Sequence, residues 1–381
     1  MKTILLIGGG IETISGVDQL HEMGLRVVVV DRDPNCPCRD IADDILVAST
    51  YDVQAVVEQA WGYHQLNRRI DAVMCLATDV PITAYEVAHV LDLPNIGWYA
   101  AAVGADKLLM KMILATAGVL VPHYVPVYSY AGLDRFRNDV YSRGSSWVVK
   151  PVDSRGARGV IRLLPDISNE WAYEHAREQS PSGRVMAEHW IDGIQISVEG
   201  VVLNAVYHNV AIIDRNYDTL DRFAPYVIEN GGQQPSVLTA TECTAVVSTM
   251  QAAASAMGMF IGTLKGDLVV QRKKNGRSRV YVIEVAPRLS GGHMSTAQIP
   301  LATGVHLVQI AAQLALGRTI DPAEIESSSQ RAVAIRYQFP DGPVTSHPER
   351  GRHEIAVADT VEEAVRLAEL AVRNEKDSAN R

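Results

Sequence analysis

The chain carries two rhythms of apolar and polar positions. In the first hundred residues the apolar runs are short and unbroken: Thr3 to Ile7, Arg26 to Val30 and Ala72 to Cys75. Runs of that length with no polar face predict strands buried on both sides, as in a parallel sheet covered by helices. Stretches at helical spacing alternate with them: Ile14 to Met23, Val53 to Tyr63 and Thr83 to Leu91. A long alanine-rich run, Ala100 to Ala117, reads as one helix stopped by Gly118.

From Val121 the rhythm changes. Strands are expected at Val125 to Tyr128, Ser146 to Lys150, Val160 to Leu163 and Arg184 to Trp190, with helices at Leu133 to Tyr141 and Asn169 to Gln179. Ile194 to Leu203 and Ala205 to Ile213 form a hairpin, and residues 215–234 a polar loop too long to be idle. Helices follow at Thr239 to Met257 and Thr303 to Leu316, the second capped by Gly317. Strands at 331–338 and 353–358 lead to a helix from Thr360 to Asn374, opened by a Thr360–Glu363 capping box. The last residues are expected to fray.

The 381 residues suffice for two or three domains. A net charge of −9, with no long basic run, argues against nucleic acid as a main partner. The N-terminal apolar run is too short for a signal peptide, and nothing reaches the length of a membrane span. With only four cysteines, the expectation is a cytoplasmic protein without a disulfide framework. Cys36-Pro37-Cys38 reads as a metal or redox pair or as a plain loop.

The chemistry gathers around Val280 to Met294. An apolar strand there carries one acid, Glu284, followed by Arg288 and Gly291-Gly292. A second acid, Asp267, lies in the strand before it, and Asn275-Gly276 turns one strand into the other. Acids inside apolar strands are costly to bury without partners. Two of them beside an arginine suit Mg²⁺ held against phosphate.

Other signals converge on phosphate. Lys150 ends an apolar strand before proline, and Ser154-Arg155-Gly156-Ala157-Arg158-Gly159 follows it. Such a small-residue loop either folds its N–H groups over phosphate or makes a plain turn. Gly8-Gly9-Gly10, with Asp31 about twenty residues on, invites a dinucleotide reading, but the strict glycine motif is incomplete at Thr13. The alternative is a tight turn whose helix faces a small anion.

Lys107, Lys150, the 153–159 loop, Glu188, Asp267, Glu284 and Arg288 occur in an order that resembles the ATP-grasp superfamily, in particular its amino-acid ligase and carbamoyl-phosphate-synthase-like members. The resemblance implies an α/β chain, α+β in its centre, in four parts. These are a Rossmann-like parallel-sheet domain (1–98), a linker helix with a small lid (99–186), a large subdomain with the Mg/ATP site (187–318) and a C-terminal extension (319–381), antiparallel toward that end.

It also implies roles. Lys107 and Lys150 would hold nucleotide phosphates, and Ser154, Arg155, Gly156, Ala157 and Gly159 would close over them, Ala157 standing where Ser is common. Glu188 and His189 would reach the adenine amine, Ile191 the ring through its amide, and Gln195 the ribose. Asp267 and Glu284 would hold Mg²⁺, or Mn²⁺ in its place, and Arg288 would stabilise the transferred phosphoryl group. The family's E-x-N-x-R is here Glu284-Val285-Ala286-Pro287-Arg288, which removes a metal ligand at Ala286, as in the dipeptide ligase branch. Lys265 has no assigned role.

Gly291, Gly292 and His293 are candidates for the substrate side, with His208 and Arg215 as further ones. The activity implied is ATP-dependent joining of a small carboxylate to an amine through an acyl phosphate, releasing ADP and phosphate. Bicarbonate activation, a nucleotide sensor without turnover, and an NAD oxidoreductase are the competing readings. A homodimer is compatible with the family.

Overall fold

The structure is a computed structural model that describes residues 1–66, 69–142 and 146–379, with 138–142 and 375–379 by backbone alone. The end of the expected fraying tail lies outside the described residues. No helix among them is long and apolar enough to cross a membrane.

The described residues form three sheets. Strands β1 (Thr3–Ile7), β2 (Arg26–Asp31), β3 (Asp44–Val47) and β4 (Ala72–Cys75) pair in parallel, in the order β3-β2-β1-β4. Successive side chains of a strand point to opposite faces. Ile4, Leu6, Val27 and Val29 accordingly enter one core, and Leu5, Ile7, Val28 and Val30 another. Both faces are covered, which is why the runs are unbroken. The first core also takes Leu307, Val308 and Ile310 from a helix near the other end of the chain.

Strands β5 (Tyr124–Val127), β6 (Trp147–Pro151), β7 (Ile161–Arg162) and β8 (Val185–His189) make a small antiparallel sheet, ordered β5-β8-β6-β7. The large sheet holds β9 (Ile194–Leu203), β10 (Val206–Arg215), β11 (Gly232–Gln234), β12 (Gly262–Arg272), β13 (Ser278–Ala286), β14 (Ala332–Gln338) and β15 (Arg352–Ala358). Its order is β13-β12-β9-β10-β11-β14-β15, antiparallel throughout. The stretch expected as a C-terminal extension therefore adds two strands to the sheet that carries Asp267 and Glu284.

Two expectations need correction. The alanine-rich run is two helices, Trp98–Ala105 and Lys107–Thr116. Asp106 between them is extended (φ −126°, ψ 109°), and its side chain accepts the Leu109 N–H at 2.9 Å as the cap of the second. The helix expected over Thr303 to Leu316 is also divided. Gly304, at φ +76°, ends Ile299–Thr303, and a new helix runs over Leu307–Ala315. Strand β3 had no apolar run to announce it.

Candidate active site

Lysines enter the site from the helix after Asp106. Lys107, in its first turn, donates to the Ser154 carbonyl at 2.7 Å and pairs with Glu284 at 3.3 Å. Lys111, one turn on and fully buried, donates to the Val282 carbonyl at 3.0 Å and pairs with Glu188 at 2.9 Å. Lys150, at the end of β6, pairs with the other oxygen of the same carboxylate. Burial pushes the Lys111 ammonium down to about 8, with Glu188 opposing the shift. Burial acts against the Glu188 charge too, but Lys111 and Lys150 outweigh it and hold the carboxyl below its ordinary range. Sequence reasoning aimed this side chain at adenine. Its oxygens lie between two lysines.

Strands β12 and β13 set Asp267 directly opposite Glu284 and Lys265 opposite Ala286. Asp267 accepts from Ser197 Oγ at 2.7 Å and from Lys265 Nζ at 2.5 Å, and Arg215 Nη1 lies 3.2 Å away. Arg215 also pairs with Glu229, which pairs with Arg350 at 3.1 Å, and Arg350 reaches Glu12 at 3.5 Å. Lys265, Asp267, Arg215, Glu229, Arg350 and Glu12 thus form a row of alternating charges, buried for most of its length, with Glu12 the least buried end. Arg350 stacks over Tyr337 at 3.9 Å.

Arg288 follows the end of β13. Leu289 pairs with Leu76 beside β4, and this contact brings Asp79 to Arg288 Nη2 at 3.3 Å. Burial would raise the Asp79 carboxyl, but Arg288, then Lys107 and Lys265, hold it below the usual range. Glu199, opposite Lys265 on β9, accepts the Ser290 N–H at 3.1 Å, and burial pushes its carboxyl up to about 7. His293 is left-handed (φ 59°) and stacks on His353 with centroids 3.6 Å apart. Burial lowers His293 to about 4, so the pair is neutral at pH 7.

The loop after Lys150 is held from outside. Gly156 and Ala157 both have positive φ, its carbonyl at Gly156 accepts the His347 N–H at 2.9 Å, and Arg155 lies over Tyr51 at 5.0 Å. The two left-handed residues make a tight turn, closed by the Arg158 N–H on the Arg155 carbonyl at 3.3 Å.

One cavity of about 970 Å³ receives Lys107, Lys150, Ser154, Arg155, Gly156, Ala157, Glu188, His189, Ile191, Gln195, Arg215, Asp267, Glu284, Arg288, Gly291, Gly292 and His293. Two expected residues do not line it. Gly159 sits at the base of the loop, where a side chain would strike Pro151 at 2.9 Å. His208 lies near the start of β10, roughly 23 Å from Arg215 at the strand rise per residue. Sequence reasoning missed Glu12, Glu229, Tyr337 and Arg350. An acid straight after the Gly8-Gly10 turn was the one available hint.

That turn has no free acid for a ribose. Asp31 accepts the Gly9 N–H at 2.8 Å and the Asp33 N–H at 3.0 Å, so it is engaged in holding the turn. Cys38 donates its N–H to the Gly9 carbonyl, and burial pushes its thiol up to about 12. Cys36 and Cys38 lie between β2 and β3, both buried and free, and among the described residues no cluster of three metal-ligating side chains exists.

The cavity contains sealed polar atoms without partners, among them Arg155 Nη1, Arg288 Nε, Ser290 Oγ and Tyr337 Oη. Two guanidinium N–H groups and two hydroxyls kept from water fit a polar, anionic ligand. Two facing carboxylates, Asp267 and Glu284, fit an ion that takes the rest of its ligands from phosphate and water.

Residues 104–292 match the ATP-grasp domain family. The chain is 22% identical over 298 residues to an N5-carboxyaminoimidazole ribonucleotide synthase of Staphylococcus haemolyticus, covering 77% of this chain and 72% of the relative. It is 27% identical over 201 residues to a formate-dependent phosphoribosylglycinamide formyltransferase of Nitratidesulfovibrio vulgaris, covering 50% of this chain and 47% of that protein. The chain spans about half the length of the formyltransferases it matches. Its fold is similar to that of an L-amino acid ligase from Bacillus licheniformis, with a TM-score of 0.78 at 20% identity over 99% of this chain and 97% of the other. With the parallel sheet, the small antiparallel lid and the lysine–acid–arginine cavity between them, these likenesses show that residues 104–292 of the chain form an ATP-grasp domain.

Proposed function

We propose that the chain joins a small carboxylate, an amino acid in the first instance, to an amine at the cost of ATP, by way of an acyl phosphate. The observation that carries this reading is the convergence of Lys107, Lys150, Asp267, Glu284 and Arg288 on one cavity beside the glycine-rich loop. Phosphoryl transfer needs positioning and charge neutralisation more than covalent help. Lys107 and Lys150 supply positive charge for the phosphates, and the loop from Ser154 supplies backbone donors. His189, Ile191 and Gln195 form the wall where the base and ribose would rest. Asp267 and Glu284 would hold Mg²⁺, which supplies phosphate neutralisation when bound. Arg288, pinned by Asp79 and by its own bond to the Leu289 carbonyl at 2.9 Å, is preset for an oxyanion.

The wall of Gly291, Gly292, His293, Tyr337 and Glu12 is where the substrate would lie. The amino-acid reading draws support from the ligase of similar fold, and from Glu12, a carboxylate open to the cavity that suits an ammonium group.

The test is an ADP-release screen against amino acids and small amines, with and without bicarbonate, and mass spectrometry of the product. Amide formation with ADP supports the reading, and ADP release that depends on bicarbonate alone overturns it. Arg288→Ala should keep nucleotide affinity and lose roughly 100- to 1,000-fold in kcat, and Arg288→Lys should not restore it, because one ammonium cannot replace a planar fork. Normal turnover in Arg288→Ala would sink the assignment.

A further inference from the structure

The ladder between β12 and β13 carries four side chains that share one face: Lys265 and Asp267 on one strand, Glu284 and Ala286 on the other. Side chains two apart on a strand point the same way, so these four form a square. Its corners are two acids, a buried lysine and a methyl group. Ala286 offers no lone pair at a corner beside Glu284. Across from it, Lys265 brings an ammonium that lies 2.5 Å from Asp267 Oδ2. The same oxygen has Arg215 at 3.2 Å, and Oδ1 accepts from Ser197. Both oxygens of Asp267 are therefore engaged, with two fixed positive charges on one of them. Glu284 pairs with Lys107 at 3.3 Å.

A divalent ion seated between the two acids can use Glu284 and share Asp267. A second one on the far side of Asp267 would have to displace an ammonium and a guanidinium, and at that corner it would find a methyl in place of a ligand. The corner without a ligand and the corner with a cation stand opposite each other on the ladder. Lysine suits that corner. Its compact ammonium carries three donors and no geometric demand, so it can sit on a carboxylate and face phosphate oxygens at once.

We propose that this chain works with a single divalent cation and that the Lys265 ammonium stands in for a second, as a permanent charge facing the nucleotide's terminal phosphates. The proposal rests on the reading of Asp267 and Glu284 as the metal acids. It makes Lys265 a catalytic residue, and it makes the metal requirement that of the nucleotide's own ion, with no further activation by free Mg²⁺ once ATP is saturated with it.

The experiment counts bound Mn²⁺ by electron paramagnetic resonance, on the full chain saturated with a non-hydrolysable ATP analogue. One ion per chain is expected for the wild type, and two for the double variant Lys265→Ala/Ala286→Asn. Two ions in the wild type, or one in the double variant, overturn the proposal while leaving the acids as metal ligands. No ion in either, with the nucleotide bound, overturns the reading of the acids and the proposal with it. In turnover, Lys265→Met should lose about 100-fold in kcat with nucleotide affinity within about threefold, the usual loss for one donor to a transition-state charge. Lys265→Arg, which keeps the charge and so keeps Asp267 paired, should retain one Mn²⁺ and more of the activity. It also supplies a folded comparison if Lys265→Met melts early. Undiminished turnover in Lys265→Met, or a second ion in Lys265→Arg, counts against the proposal.

Discussion

Glu188 is a single acid set between two buried ammonium groups, and its value lies in what its loss would leave behind. Glu188→Gln strands Lys111 and Lys150 without a carboxylate, and removing one partner of a buried ionic group costs about 3–5 kcal/mol. Lys111→Met should cost less, because Lys150 and Glu188 remain paired. Thermal melts of the two variants give the order. Glu199 makes a different demand. Burial raises its folded pKa to about 7 from the ordinary 4.5, so the native state holds a proton that the unfolded chain has released. Between those two values stability must fall as pH rises, and above about 7 the loss levels off. From pH 5 to 7.5 the wild type should lose about 2 kcal/mol more than Glu199→Gln, read from urea melts at both pH values. Equal slopes in the two proteins would show that Glu199 is ionised in the fold. Lys150, Asp267 and Glu284 were legible in the sequence because a charge inside an apolar strand stands out. Glu12 and Arg350 were not. Their meaning comes from each other, across 338 residues, and each alone is an ordinary surface charge.

At the scale of elements, buried strands were the easiest part to read, since the composition of β1 and β2 follows from burial on both faces. Breaks inside good helix formers were hidden. Asp106 caps a helix only because the chain is extended there, and nothing in an alanine-rich run marks that change. The break has a use: it places Lys107 in a first turn, where it can reach both the Ser154 carbonyl and Glu284. The helix ending at Ala105 presses on the catalytic strand through Gly104. A Cβ at that position would stand 2.5 Å from Pro287 Cδ, in a ring that cannot swing aside. Gly104→Ala should therefore cost about 1–3 kcal/mol and shift the residue next to Arg288. Turnover should fall more than nucleotide affinity, as paired kcat and Kd measurements would show. Equal losses in both would mean that the push is absorbed elsewhere.

Across the whole molecule, the loop after Lys150 is fastened to both ends of the chain, to Tyr51 near one and to His347 near the other. Tyr51→Ala removes a cation–π contact worth about 0.5–1 kcal/mol, so the KM for ATP should rise roughly two- to fivefold with kcat little changed. A KM that does not move would show that Arg155 is positioned by the loop alone. Such closure could not be read from sequence, because the turn at 347–349 shows no pattern that ties it to a glycine loop nearly two hundred residues earlier. The row of charges from Lys265 to Glu12 has the same reach. Its inner half lies on β12 and the end of β10, and its outer half on Glu229, Arg350 and the turn after β1. On the proposed function, nucleotide and acceptor would be handled by different stretches of one circuit. Grafting a relative's residues 340–353 onto this chain would exchange the selective end while the ATP-handling end stays in place, provided the graft keeps an arginine opposite Glu229.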